Sequence, residues 1–360
     1  MSSVTKPMML DETGKRIANA LELSNVYLSA LAKEDVDTNI NDLKYIGEIV
    51  RKGLAPKLFN IGDQIVVPWT DITINKTYNM PFNIVDFRTV TLKGGIEVPG
   101  MVLQSHYAFP FNATFDAAEK EVASETAFLS SLNYYKQYVD NSGKTAYKLL
   151  TPGTDYVNGD NIPTNDTYYH NEIKDSSGKI IGGGYARWGH SAIRQYLNSS
   201  AAKNEWWTAQ HIGDVKPGYP IDKAGFLTGF SDDFLSILRP VEVKTRLSTA
   251  IPSDSEYEYT YDIFFLCSTK EMYVKTTASD EPYFPYWKMA LGATEPLATT
   301  TKIPEFIHYV VDTKDATTVA TRAVTSLGST HQASVINQAG TVYGSDSSGN
   351  FKFAPCCVIC

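Results

Sequence analysis

Asp232 and Asp233 are adjacent carboxylates, and so are Asp280 and Glu281. Two carboxyl groups can divide acid and base work when they face each other across a cleft. Neighbours in a turn point apart, so both pairs are expected to be solvated. An enzymatic alternative, acting on a glycan, would draw its cleft from Asp232, Asp233 or Glu271. The six histidines (His106, His170, His190, His211, His308 and His331) never fall three or four residues apart, so no local metal signature exists. Cys357 and Cys360 have C-x-x-C spacing, but they lie in a strand-like run with no helix start. Together with Cys267 and Cys356 they read as buried, small apolar side chains. Neither a phosphate loop nor a G-x-S-x-G elbow is present, and Gly182–Gly184 reads as a turn. The expectation is a protein that is not an enzyme, with no catalytic residues, no metal and no cofactor.

Recognition chemistry is better represented. Tyr283, Phe284, Tyr286 and Trp287 crowd one Pro-punctuated segment. Arg322, Ser326, Thr330 and His331 lie in a second, and Tyr343, Ser345 and Asn350 in a third. Aromatic and Arg side chains on loops are typical contact residues. Segments 282–288, 322–334 and 342–352 are therefore the candidate ligand-binding loops, with Tyr283, Tyr286, Trp287, Arg322, Ser326, His331, Tyr343 and Asn350 as the candidate contacts. For each aromatic, filling the core is the competing role. Arg194, set among apolar helical residues, reads as a structural ion pair.

The elements that must hold these loops follow from the pattern. Residues 10–31 carry Ile17, Leu21, Leu28 and Leu31 at helical spacing. A second helix is predicted over 42–52, with Gly53 as its stop. Strands are predicted at Gln64–Val67, 83–91, 96–109, 146–150 and Tyr261–Ser268, and a helical stretch over Ala117–Tyr138. Ser191 and Ser231 are placed to cap two short helices. Residues 151–184 read as a long surface excursion. Ala333, Val335 and Ile336 alternate, and the chain closes on Phe353–Ile359, too apolar to lie outside a sheet.

The formal net charge of −8 disfavours nucleic acid and anionic membranes as main partners. The basic run Lys44, Arg51, Lys52 and Lys57 reads as a solvated helix face. The start lacks a charged and then apolar leader, and no run is long enough to span a bilayer. Synthesis in a cytoplasm is expected, with no membrane insertion.

Five blocks, in this order, carry a resemblance: Gly53–Trp69, Trp188–Ser199, Gly225–Val241, Asp262–Tyr273 and Phe353–Ile359. They resemble a family of structural proteins from tailed phages and prophages of gut bacteria. The later blocks are similar to the C-type-lectin-like fold of phage receptor-binding proteins and formylglycine-generating enzymes. Where the family carries Trp-Leu-Arg-Ser the stretch here is Ala320-Thr321-Arg322-Ala323-Val324, with only the Arg kept, and no calcium-binding Glu-Pro-Asn occurs. The resemblance implies an α+β fold. N-terminal helices (1–58) would serve attachment or oligomerisation. A mixed-sheet display domain (59–360) would have a β-rich first half (59–184) and a motif-bearing second half (185–360), short flanking helices and long loops. It implies a virion protein assembled in the bacterial cytoplasm: a head decoration, head fibre or tail receptor-binding component. The expected partners are other virion proteins, itself as a homo-oligomer, and a host-surface protein or glycan. A purely structural role cementing capsid or tail is the alternative.

Overall fold

The computed structural model describes residues 43–117, 135–139, 145–149, 173–174, 180–182, 188–209, 215–246, 257–275, 282–298, 308–324, 332–337 and 341–360. Within them the fold is α+β, with mostly antiparallel sheets and few, short helices. The helix predicted over 10–31 lies outside the described residues. The next one forms as α1 (Leu43–Arg51), ending at Gly53 with its positive φ of 69°, and a single turn, α2 (Ala55–Leu58), follows.

Strand β1 (Gln64–Asp71) alternates strictly: Ile65, Val67 and Trp69 point inward, while Gln64, Val66 and Pro68 stay outside. It pairs along its whole length with the first half of β2 (Lys76–Leu92), a 17-residue strand. The second half of β2 pairs with β3 (Ile96–Ser105). A register shift between Ile84 and Asp86 leaves Val85 as the extra residue, and Ile84 and Val85 are both buried. From the second half of the chain come β4 (Val241–Arg246), β5 (Tyr257–Asp262), β6 (Phe264–Phe265) and the terminal β10 (Cys356–Ile359). The main sheet runs β5-β4-β2-β3-β10-β6, with β1 on the free part of β2. Three more strands, β7 (Val319–Val324), β8 (Gln332–Ile336) and β9 (Val342–Asp346), form a second sheet.

The main sheet is antiparallel throughout, where a mixed sheet was expected. The reason is connectivity: β1–β2, β2–β3 and β4–β5 are each adjacent in sequence and in the sheet, and only antiparallel neighbours can be joined by short turns. A parallel pair does occur outside it, Val274–Lys275 against Leu297–Ala298. The sheet also interleaves the two halves of the chain, since β2 and β3 sit between β4 and β10. Helix α1 lays Ile46, Ile49 and Val50 into the same core, so residues 43–58 are packed with the domain that follows.

Two further expectations change. The helical stretch predicted over Ala117–Tyr138 gives way at its end to a strand, Tyr135–Val139, which pairs with Thr145–Leu149; residues 118–134 lie outside the described residues. Tyr and Val favour a pleated strand there, and the following Asp140-Asn141-Ser142-Gly143 is a turn sequence. The predicted strand Tyr261–Ser268 is broken at Ile263 into the ends of β5 and β6. Of the 151–184 excursion, Ile173–Lys174 pairs with Ile180–Gly182, and the remainder lies outside the described residues.

Helices α3 (Ala192–Leu197) and α4 (Asp232–Ser236) start as the sequence predicts, with the Ser191 and Ser231 hydroxyls accepting from the amides of Arg194 and Phe234. The core between helices and sheet is aromatic. The Phe109 ring stacks on Phe353 at 5.4 Å and meets Phe226 edge-on at 4.8 Å, with Trp69 edge-on at 5.2 Å. Gly229 makes this possible: a Cβ there would lie 2.2 Å from Trp69 Nε1. Gly229→Ala is therefore expected to cost about 3 kcal/mol, the upper range for overpacking a core. The check is a lower urea midpoint with an unchanged m-value.

Candidate functional site

The sequence singled out Arg322 as a loop contact, and the structure corrects this. Arg322 lies inside β7 and is 2% exposed. Its Nη1 donates to Glu271 Oε2 at 2.5 Å and to the Leu266 carbonyl at 2.8 Å. Its Nη2 donates to Glu271 Oε1 at 3.1 Å and to the Lys244 carbonyl at 3.2 Å, and its Nε to Thr245 Oγ1 at 3.2 Å. A guanidinium presents its donors in a fixed fork, and here the fork is filled on both prongs. Glu271 is fixed in turn by the Ser268 amide, which donates to Oε2 at 2.9 Å. The pair joins β7 of the second sheet to β4 of the first and to the turn after β6.

This ion pair forms the back of a cleft of about 120 Å³. It is lined by Val90, Val102, Val358, Phe265, Phe284 and Pro282, and by the partly exposed Arg88, Glu242 and Lys244. Arg88 pairs with Asp86 and places its guanidinium 4.8 Å from the centre of the Phe284 ring. Burial pushes the Asp86 carboxyl above the usual carboxylate range, and the Arg88 charge partly offsets this. The volume is well below the roughly 300–1,000 Å³ of ordinary small-molecule pockets, so the cleft can take the edge of a ligand rather than enclose one. Arg88, Glu242, Lys244 and Phe265 were not foreseen. The available signal was a charged pair two residues apart, Asp86 and Arg88, beside the apolar Ile84, Val85 and Phe87.

The aromatic segment contributes Pro282 and Phe284 to the same cleft. Helix α5 (Pro285–Ala290) follows Phe284, whose amide donates to the Glu271 carbonyl at 2.8 Å. Trp287 is buried and its Nε1 donates to Gln104 Oε1 on β3 at 2.9 Å, so it anchors the helix and is not displayed. Tyr286 is partly exposed; its hydroxyl accepts from Asn83 Nδ2 at 3.2 Å. Tyr283 is also partly exposed and packs edge-on against Tyr273 at 4.9 Å. Tyr343 lies on β9 and is 40% exposed. Asn350 is exposed in a short strand beside Thr114, whose hydroxyl donates to its Oδ1 at 2.7 Å. Ser326 and His331 lie outside the described residues. Of the candidate contacts among the described residues, Arg322 lines the cleft as framework, Trp287 is buried against β3, and Tyr283, Tyr286, Tyr343 and Asn350 keep some exposure without lining it.

Of the carboxylates in the enzymatic alternative, Glu271 lines the cleft and is held by Arg322, whereas Asp232 and Asp233 are exposed in the first turn of α4 and do not line it. Asp233 pairs with Lys44 at 3.2 Å on the solvated side of α1. Among the described residues no group of three or more His, Cys, Asp or Glu side chains converges on a metal position, and no helix is long and apolar enough to cross a membrane.

Asn83 also ties His106 into the support of α5. Its Nδ2 lies 3.1 Å from His106 Nδ1, and its Oδ1 accepts from Gln64 Nε2 at 2.9 Å. A neutral imidazole accepts at Nδ1; a protonated one would present a second donor there. Burial lowers the His106 pKa, and the positive charge of Lys314 adds to this. The unfolded chain therefore binds the proton more readily, so His106 contributes stability that is complete above pH 6.5 and is lost as pH falls below it. The difference in urea midpoint between wild type and His106→Gln, followed across pH, is expected to change below that value and to be constant above it.

No curated protein sequence and no solved structure matches the chain. One family model does, over residues 156–359, more than half of the chain. The match spans β4 to β10, α3 to α5, and both members of the Arg322–Glu271 pair. By that match the chain belongs to the family described as "Domain of unknown function (DUF6273)".

Proposed function

We propose that this is a non-enzymatic structural protein of a phage particle, presenting a C-type-lectin-like domain for adhesion to a host surface or glycan. The observation that carries the reading is the cleft. It is small and lined by Arg88, Glu242 and Lys244 together with Phe284, and the partly exposed Tyr283 and Tyr286 lie next to Phe284 in the chain. Its framework is fixed by a buried ion pair. Such a surface supports weak, rim-dominated contact, which becomes useful when many copies act together. The C-type-lectin-like arrangement is supported by the sequence blocks and by the terminal strand β10 pairing inside the main sheet, with all three candidate display segments between it and β6. Head decoration, head fibre and tail tip all fit. Each implies symmetric self-association and contact with other virion proteins.

One observation favours the cementing alternative. Val66, Ile72 and Ile74 are 44%, 54% and 59% exposed on the β1–β2 hairpin, away from the cleft-lining residues. An apolar hairpin of this kind is suited to a neighbouring protein in an assembly.

Quantitative mass spectrometry of purified particles tests the reading. A copy number in fixed proportion to the major capsid protein is expected for a head decoration, and a handful of copies for a tail tip. Absence from particles would remove the virion assignment. Within the adhesion reading, Tyr283→Ala with Tyr343→Ala is expected to lower adsorption of a multivalent display at least about tenfold, because small losses per site multiply. The melting temperature should stay within about 1–2 °C, as for other surface changes. Unchanged adsorption would leave the cementing role.

A further inference from the structure

Four cysteines are buried in this chain, and two of them meet. Cys267 Sγ lies 3.0 Å from Cys356 Sγ, about 1 Å beyond the length of a sulfur–sulfur bond. The two residues are 89 positions apart in sequence and come together because β6 and β10 pair, with Phe265 opposite Cys356. Cys267 and Phe265 alternate onto one face, so Cys267 and Cys356 share that face while Cys357 points to the other. The backbone around them is fixed: the Arg322 amide donates to the Cys267 carbonyl at 3.0 Å, and β10 is held in register by β3.

We propose that Cys267 and Cys356 form a disulfide when the protein meets a small-molecule disulfide oxidant, stapling β10 to the turn that carries Glu271. The chemistry is two exchanges. One protein thiol loses its proton and its thiolate attacks a sulfur of glutathione disulfide, releasing one glutathione thiolate and leaving a mixed disulfide. The second protein thiolate attacks the protein sulfur of that mixed disulfide, and the second glutathione leaves. Two protein thiols are oxidised, one glutathione disulfide is reduced, and the two protons end on the two glutathiones.

The staple would close a loop containing α5 and β7 to β9, and so every candidate display segment. Burial raises both thiol pKa values and keeps thiolate scarce in the folded protein. Oxidation is therefore slow in the native state and fast while the chain folds or opens. A protein made in a reducing cytoplasm would acquire the bond on reaching an oxidising medium. The inference holds whether or not the adhesion reading does.

The test is refolding the full chain with a mixture of reduced and oxidised glutathione, then blocking free thiols, digesting and mapping by mass spectrometry. The expected product is lighter by two hydrogen atoms, with a linked Cys267–Cys356 peptide and with Cys357 and Cys360 blocked as free thiols. Blocked thiols at Cys267 and Cys356, a different linkage, or glutathione adducts alone would overturn the proposal. The oxidised form is expected to melt roughly 4–8 °C above the reduced one. That gap should vanish in Cys267→Ala and persist in Cys357→Ala. A linked peptide with no gap in melting temperature would overturn the stapling role.

Discussion

Glu271→Gln is expected to destabilise the protein by about 3–5 kcal/mol, a large part of the roughly 5–15 kcal/mol that holds a typical domain folded. Glu271 and Arg322 are 4% and 2% exposed, so neither charge can turn to water when its partner is lost. The amide would still offer one acceptor to the guanidinium, but the cation would remain buried without a counter-charge. Three other acceptors, the Leu266 and Lys244 carbonyls and the Thr245 hydroxyl, hold Arg322 in place and would keep it there. Arg322→Met should cost as much, because it strands the carboxylate instead. Replacing both, Glu271→Leu with Arg322→Met, should cost far less than the sum, since two apolar side chains remove the desolvation penalty along with the attraction. A coupling energy of at least about 2 kcal/mol is expected from the double-mutant cycle of Glu271→Leu and Arg322→Met, each made singly and together and read by urea unfolding. Single losses under about 1 kcal/mol would mean that the pair is solvated in practice and that the cleft has no rigid back.

The same series separates framework from contact. If Arg322 touched a ligand, its removal would weaken binding in a protein that still melts normally. As framework, it should weaken binding only in step with stability, and the paired replacement should restore both. Under the proposed adhesion role the contacts would be the partly exposed Tyr283 and Tyr286 and the cleft-lining Arg88, Glu242 and Lys244.

How much of this was legible in the sequence depended on the range of the interaction. Local signals read well. Ser191 and Ser231 cap where their spacing to the apolar residues placed them, Gly53 ends α1, and the apolar run Phe353–Ile359 ends in a buried strand. The cysteines are buried, as a strand context implied. Arg194 forms the structural ion pair expected of it, with Asp262. What failed was topology. Arg322 looked like a loop residue because the run Ala320–Val324 is short and carries a charge. Only the meeting of β7 with β4 and with Glu271, 51 residues earlier, gives the guanidinium its acceptors. Trp287 looked like a displayed ring because it closes a segment punctuated by Pro282 and Pro285. Its partner is Gln104 on a strand 183 residues earlier. That the stretches before and after 184 share one sheet was illegible for a related reason. The family match begins at 156, yet the middle of its main sheet, β2 and β3, comes from the hairpin before it. Alternation marks that hairpin as strands, but nothing local says which strands it will lie between.

Two of the sequence blocks behind the resemblance, Trp188–Ser199 and Asp262–Tyr273, meet at Asp262, and Asp262→Ala is expected to cost about 3–5 kcal/mol. Asp262 is fully buried and serves three donors. Its Oδ2 accepts from Trp188 Nε1 at 2.8 Å and from Thr260 Oγ1 at 2.6 Å, and its Oδ1 accepts from Arg194 Nε at 2.7 Å. Trp188 and Arg194 bracket the start of α3, so the carboxylate fixes where that helix begins against the break between β5 and β6. Asn198 fixes where it ends: its Oδ1 accepts from the amides of Ile263 and Phe264. Truncating Asp262 would leave an indole N–H and a hydroxyl buried without an acceptor and a cation without its partner. The single-donor variants should rank below it. Arg194→Ala removes a side chain that is 24% exposed and whose loss water can partly compensate, so about 1–2 kcal/mol is expected. Trp188→Phe removes one hydrogen bond and part of a ring, for a loss between the two. Thermal and urea unfolding of the three variants decide the order. If Arg194→Ala were as costly as Asp262→Ala, the ion pair alone would be holding the helix, and the hydrogen bonds to Trp188 and Thr260 would contribute nothing to where α3 begins.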